Sequence, residues 1–124
     1  MARILISDAR ADTRTMTIRM LERLGHEPLE VGLPAPGQLT DVDLVLVDPR
    51  GPVGAIVCQA AMIVNPDLPL VCVSVTPPPP ELEKLGVSFA AALVKPFASE
   101  LLAATIDEVL ARRGADRAPD ALDV

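Results

Sequence analysis

The sequence predicts an α/β domain in which a five-stranded parallel sheet carries helices on both faces. Three observations lead there. Short apolar runs alternate with helix-compatible segments along nearly the whole chain, the pattern of βαβ units with right-handed crossovers. The clearest runs, residues 3–8, 42–47 and 68–75, are mostly apolar, as strands covered on both faces are. Finally, Asp8, Asp48, Ser74 and Lys95 all fall at the carboxyl ends of expected strands, where such sheets open their ligand crevice.

The elements follow in order. Residues 3–8 form the first strand, ending in a carboxylate. A helix begins at Asp12 or Thr13, either of which suits an N-cap, with Met16, Thr17, Met20, Leu21 and Leu24 on one face. Gly25 stands where a left-handed residue ends it. Residues 26–31 supply a short strand, and Gly32, Pro34, Pro36 and Gly37 then limit the second helix to a turn or two. The strand 42–47 ends at Asp48-Pro49, and the helix 53–64 is apolar on nearly every face, Gln59 being its one strongly polar side chain. Such a helix is either deeply buried or presents an apolar patch to a partner. Residues 68–75 make the next strand, with Ser74 near its end, and Pro77 to Pro80 a stiff polyproline stretch. A brief helix over 81–85 closes at Gly86, residues 91–94 form the fifth strand, and a final helix spans 99–113 with Ser99 as N-cap and Leu102, Ile106, Val109 and Leu110 as its apolar stripe. The domain is thus expected over residues 1–113, with 114–124 a tail or truncated linker.

Composition narrows the function classes. Of 124 residues half are hydrophobic but only 2% aromatic, so the core must be aliphatic. A formal charge of −6 and scattered basic residues offer no stripe for a phosphate backbone, which argues against direct nucleic-acid binding. The longest apolar runs are far shorter than the ~20 residues that cross a bilayer, and the first residues carry no signal-peptide pattern, so a cytoplasmic protein without membrane insertion is expected. Cys58 and Cys72 lack CxxC spacing and metal-ligand neighbours and read as buried small hydrophobes. His26, in a helix-to-strand turn, reads as structural.

Asp48 closing one strand, Ser74 ending the next and Lys95-Pro96-Phe97 following the last resemble the receiver domain of two-component response regulators over residues 3 to about 113. Smaller matches are Ile4-Leu5-Ile6 before the first acidic position, Arg14, Leu24-Gly25-His26-Glu27 and Pro52. The resemblance implies strand order 2-1-3-4-5 and a protein–protein signalling module rather than an enzyme, fed by a histidine kinase or another signalling protein. It implies that Asp48 is the phosphoacceptor, that Ser74 and Lys95 contact the phosphoryl group, and that the Lys95-Pro96 bond is cis. Asp8, Asp48 and the backbone carbonyl of Arg50 would hold Mg²⁺. These residue types supply a carboxylate nucleophile, a hydroxyl donor and cations to neutralise developing charge.

Two positions depart from the family pattern. Its adjacent acidic pair after the first strand reads Asp8-Ala9 here, which removes a metal ligand, and its reporter Tyr or Phe three residues before the lysine is Ala92, with Phe89 out of register to replace it. The expected function is therefore an atypical receiver acting by protein–protein contact, with a homodimer through the apolar third helix as one form. The alternatives are a working Mg²⁺-dependent phosphoacceptor and, last, a flavodoxin-like small-molecule binder, which would need a glycine-rich loop absent from residues 7–13. The Arg10 guanidinium could fill the space of the metal between Asp8 and Asp48, or point to solvent.

Overall fold

The computed structural model describes residues 1–117; residues 118–124, part of the stretch expected as a tail, lie outside the described residues. The chain runs β1 (Arg3–Ser7), α1 (Ala11–Arg23), β2 (Glu27–Glu30), α2 (Pro36–Thr40), β3 (Leu44–Val47), α3 (Pro52–Val64), β4 (Leu70–Ser74), α4 (Pro80–Lys84), β5 (Ala91–Val94) and α5 (Ser99–Arg117). All neighbouring strands are parallel, in the expected order β2-β1-β3-β4-β5.

Every residue of β3 and β4 is buried, which is why their sequences are apolar without alternation. Successive strand side chains enter two different cores. Ile4, Ile6, Leu44, Leu46, Val71 and Val73 meet Leu21 of α1 and Leu102, Ile106 and Val109 of α5. Leu5, Val45 and Val47 meet Leu39 of α2, Val57, Cys58 and Ala61 of α3, and Leu82 of α4. Both cysteines are buried and free, as expected.

Several boundaries differ from the sequence expectations, each for a local reason. Helix α1 starts at Ala11 with Arg10 as its N-cap residue, not at Asp12 or Thr13. Thr13 instead lies inside the first turn, its hydroxyl within reach of both Asp8 Oδ2 (3.0 Å) and the Arg10 carbonyl (3.1 Å). The inward face of α1 is carried by Thr17 and Leu21, while Met16 is 45% exposed. Prolines open α2, α3 and α4, where their missing N–H costs nothing. Ser99 is the first residue of α5 rather than its N-cap; the Ala98 carbonyl accepts the Leu102 N–H. That helix continues past residue 113 to Arg117. Gly25 and Gly86 adopt φ of +84° and +91°, ending α1 and α4 as left-handed residues.

Candidate functional site

Parallel register brings the carboxyl ends of β1, β3, β4 and β5 to one edge of the sheet. The Asp48 N–H donates to the Ser7 carbonyl (2.9 Å) and the Lys95 N–H to the Ser74 carbonyl (2.9 Å), so Asp48 and Lys95 are each anchored to the strand end beside them. The Lys95-Pro96 bond is cis, as the resemblance implied.

Asp8 and Asp48 are organised alike. Each turns Oδ1 onto the backbone N–H two residues on, Arg10 for Asp8 (2.9 Å) and Arg50 for Asp48 (3.2 Å), closing an Asx-type turn at the strand end. Each turns Oδ2 onto the same Lys95 ammonium, at 2.6 Å from Asp8 and 3.0 Å from Asp48. The three side chains are 7–8% exposed, so this is a buried triad.

Asp48 has a further partner that the sequence reading missed. The Arg50 guanidinium forks onto it, Nε to Oδ1 at 3.2 Å and Nη2 to Oδ2 at 3.1 Å. The sequence reading gave Arg50 only a backbone role; the signal available was a long cation two residues beyond a carboxylate across an Asp-Pro turn. Arg10, weighed for the space between the carboxylates, has a side chain that is 64% exposed and lies toward Asp12. Burial opposes ionisation of Asp48, yet its hydrogen bonds to Arg50 and Lys95 outweigh that and hold its pKa below the ordinary carboxylate value.

Ser74 is fully buried, its Oγ accepting the Thr76 N–H at 3.4 Å. Among the described residues it shares no hydrogen bond with either carboxylate. Ala92 lies exposed on β5, and Phe89 packs into the core on the α3 side, so neither provides an aromatic ring at this edge. His26 is at the far end of the sheet, where Nδ1 accepts the Ala2 N–H (3.1 Å). Burial pushes the thiols up, Cys58 to about 12 and Cys72 to about 11, which leaves both unreactive.

Beside the triad lies an open crevice of about 630 Å³, bordered by Asp8, Arg10, Arg14, Glu30, Arg50 and Gly51. The donor set does not fit a hard divalent cation well. Ala9 contributes no side-chain oxygen, and among the described residues no group of three His, Cys, Asp or Glu side chains gathers. The two carboxylates together already accept seven hydrogen bonds from this chain, against roughly eight lone-pair positions.

No family model and no curated protein sequence matches the chain. Solved structures do. Chemotaxis protein CheY4 of Vibrio cholerae superposes with a TM-score of 0.75 at 24% identity, covering 88% of this chain and 98% of that one. A CheY-like response regulator receiver domain protein from Methanospirillum hungatei gives 0.77 at 22%, covering 92% and 97%. This chain has the receiver fold. NtrX from Brucella abortus gives 0.81 at 23% over 98% of the present chain, which spans only 29% of that longer protein. At these identities the likeness establishes the receiver architecture. Among the described residues no helix is long and apolar enough to cross a membrane.

Proposed function

We propose that this receiver-fold chain is a cytoplasmic signalling module of the response-regulator type that works by binding other proteins, with phosphorylation of Asp48 weakened or lost. The observation that carries this reading is the closed triad: one buried lysine holds Oδ2 of both Asp8 and Asp48. An aspartate nucleophile needs an oxygen free to attack and a cation arranged to take up the charge that develops. Both Asp48 oxygens are already committed, and no second carboxylate follows Asp8 to help hold Mg²⁺.

The output half of a phosphate switch is also reduced, because Ala92 offers no ring to reorient. A constant binding surface suits this composition better than a switched one. The outward side of α3 supports such a surface: Val53, Ile56 and Ile63 are 40%, 51% and 77% exposed, an apolar stripe of the kind that marks interaction sites. A histidine kinase, another signalling protein or a second copy of the chain would be the partner class.

The test is an amide NMR titration with Mg²⁺ and beryllofluoride, a phosphoryl mimic, since the chain has no Trp or Tyr to report by fluorescence. Resonances around Asp48, Ser74 and Lys95 are expected to stay in place at millimolar Mg²⁺. Saturable shifts requiring both additives would instead establish a working phosphoacceptor at Asp48.

A further inference from the structure

We propose that the Arg50 guanidinium is a built-in counter-ion that does the electrostatic work of a divalent cation beside Asp48 and keeps one from binding. The argument starts from charge. Asp8 and Asp48 are both buried, so two negative charges in one pocket require about two positive charges nearby. Lys95 supplies one and bridges the pair. Arg50 supplies the other, and with it the pocket holds two carboxylates and two cations, leaving it electrically balanced by this chain alone.

Geometry makes the arginine a specific partner. Its planar fork engages both oxygens of one carboxylate, the arrangement that guanidinium and carboxylate favour. The backbone N–H of the same residue also bonds Asp48 Oδ1, so the turn Asp48-Pro49-Arg50 returns the side chain to the carboxylate it follows. Arg50 keeps its side chain 37% exposed on the crevice side, whereas Lys95 is closed in at 7%. Asp8, Asp48 and Arg50 all line the crevice, so a cation entering there would have to displace the guanidinium to reach either Asp48 oxygen.

This inference rests on the same pocket as the proposed function, and the two can fail separately. Mg²⁺ titrations followed by amide NMR compare the natural chain with Arg50→Ala and Arg50→Gln. Removing the fork should tighten Mg²⁺ binding at Asp48 by about 10-fold or more, because the metal no longer competes with hydrogen bonds to a charged group, each of the size that changes a binding constant about tenfold. Arg50→Gln, which keeps a polar side chain, provides the same comparison should Arg50→Ala not fold. Equal Mg²⁺ affinities in the natural chain and the folded variants would overturn the proposal. A second readout needs no metal: the Arg50 Nε–H resonance should be shifted and protected from solvent exchange in the natural chain and revert to an exposed-arginine signal in Asp48→Asn. An exposed-type signal in the natural chain would also overturn it. The ratio between variants reports on Arg50, whereas the natural chain's response to beryllofluoride reports on whether Asp48 works as a phosphoacceptor.

Discussion

Lys95 is the residue on which the acid pocket depends most. Among the described residues its ammonium is the one group touching both buried carboxylates, and removing it would leave them facing each other in a poorly solvated site. Breaking a buried ion pair by deleting one partner typically costs about 3–5 kcal/mol, so Lys95→Met should lower unfolding free energy by about that amount in urea. Adding Asp8→Asn to the same chain should recover part of the loss, because one unpaired charge is then gone. A Lys95→Met variant as stable as the natural chain would show that the triad contributes no net stabilisation. Asp48 adds a pH dependence whose direction is set by its lowered pKa. A carboxyl depressed in the folded state contributes stability that is complete above its unfolded value, about 3.9, and is lost as pH falls through the folded value. Urea unfolding from neutral pH into the acid range should therefore show a steeper loss for the natural chain than for Asp48→Asn. Parallel curves would mean that Arg50 and Lys95 do not hold that carboxyl as described.

Helix α3 is the element that places Asp48, because it packs directly behind the turn that follows β3. Gly54 permits this: a Cβ there would stand 2.0 Å from the Asp48 carbonyl oxygen and 3.1 Å from the Pro49 Cα, both backbone atoms that cannot swing away. Gly54→Ala should force α3 outward and cost at least the ~1–3 kcal/mol typical of overpacking, with chemical-shift changes reaching Asp48 and Lys95 because the ion-paired carboxylate moves with its backbone. Stability near that of the natural chain, with unchanged shifts at Asp48, would show that the close approach is not needed. Gly54 also marks a limit on what the sequence discloses. The strands, the short α2 and the strand-end positions of Asp8, Asp48, Ser74 and Lys95 could be read from apolar runs, glycines and prolines, since those features act locally, whereas the strand order followed only from the resemblance to receiver domains. The partner of Asp48 could not. Arg50 stands two residues beyond Asp48 across a proline turn, a spacing that lets its side chain return to the carboxylate but equally lets it extend into solvent, and three-dimensional placement decides between the two. The same holds for α1, where Met16 fits the apolar periodicity yet lies 45% exposed, because neighbouring elements decide how far round a helix burial extends.

At the scale of the whole molecule, the sheet is shared by two cores, and each central strand contributes to both. Ile4 faces the α1/α5 core and Leu5 the α2/α3/α4 core, though they are adjacent in β1 and both fully buried. A strand cannot leave one layer without leaving the other, so the two layers should unfold together as a small single domain does. Ile4→Ala and Leu5→Ala should each cost about 2–5 kcal/mol as large-to-small core changes. Each variant should still show one transition, with far-UV circular dichroism and the amide resonances of both layers disappearing at the same urea concentration and with an unchanged m-value. Under this argument, damage on the α3 side is felt in full by α5, and the pocket at the shared edge persists only while both layers do. If Leu5→Ala instead lost the resonances of α2, α3 and α4 while α1 and α5 kept theirs, the α3 layer would be an independent unit, and its exposed stripe could rearrange on binding without disturbing the acid pocket.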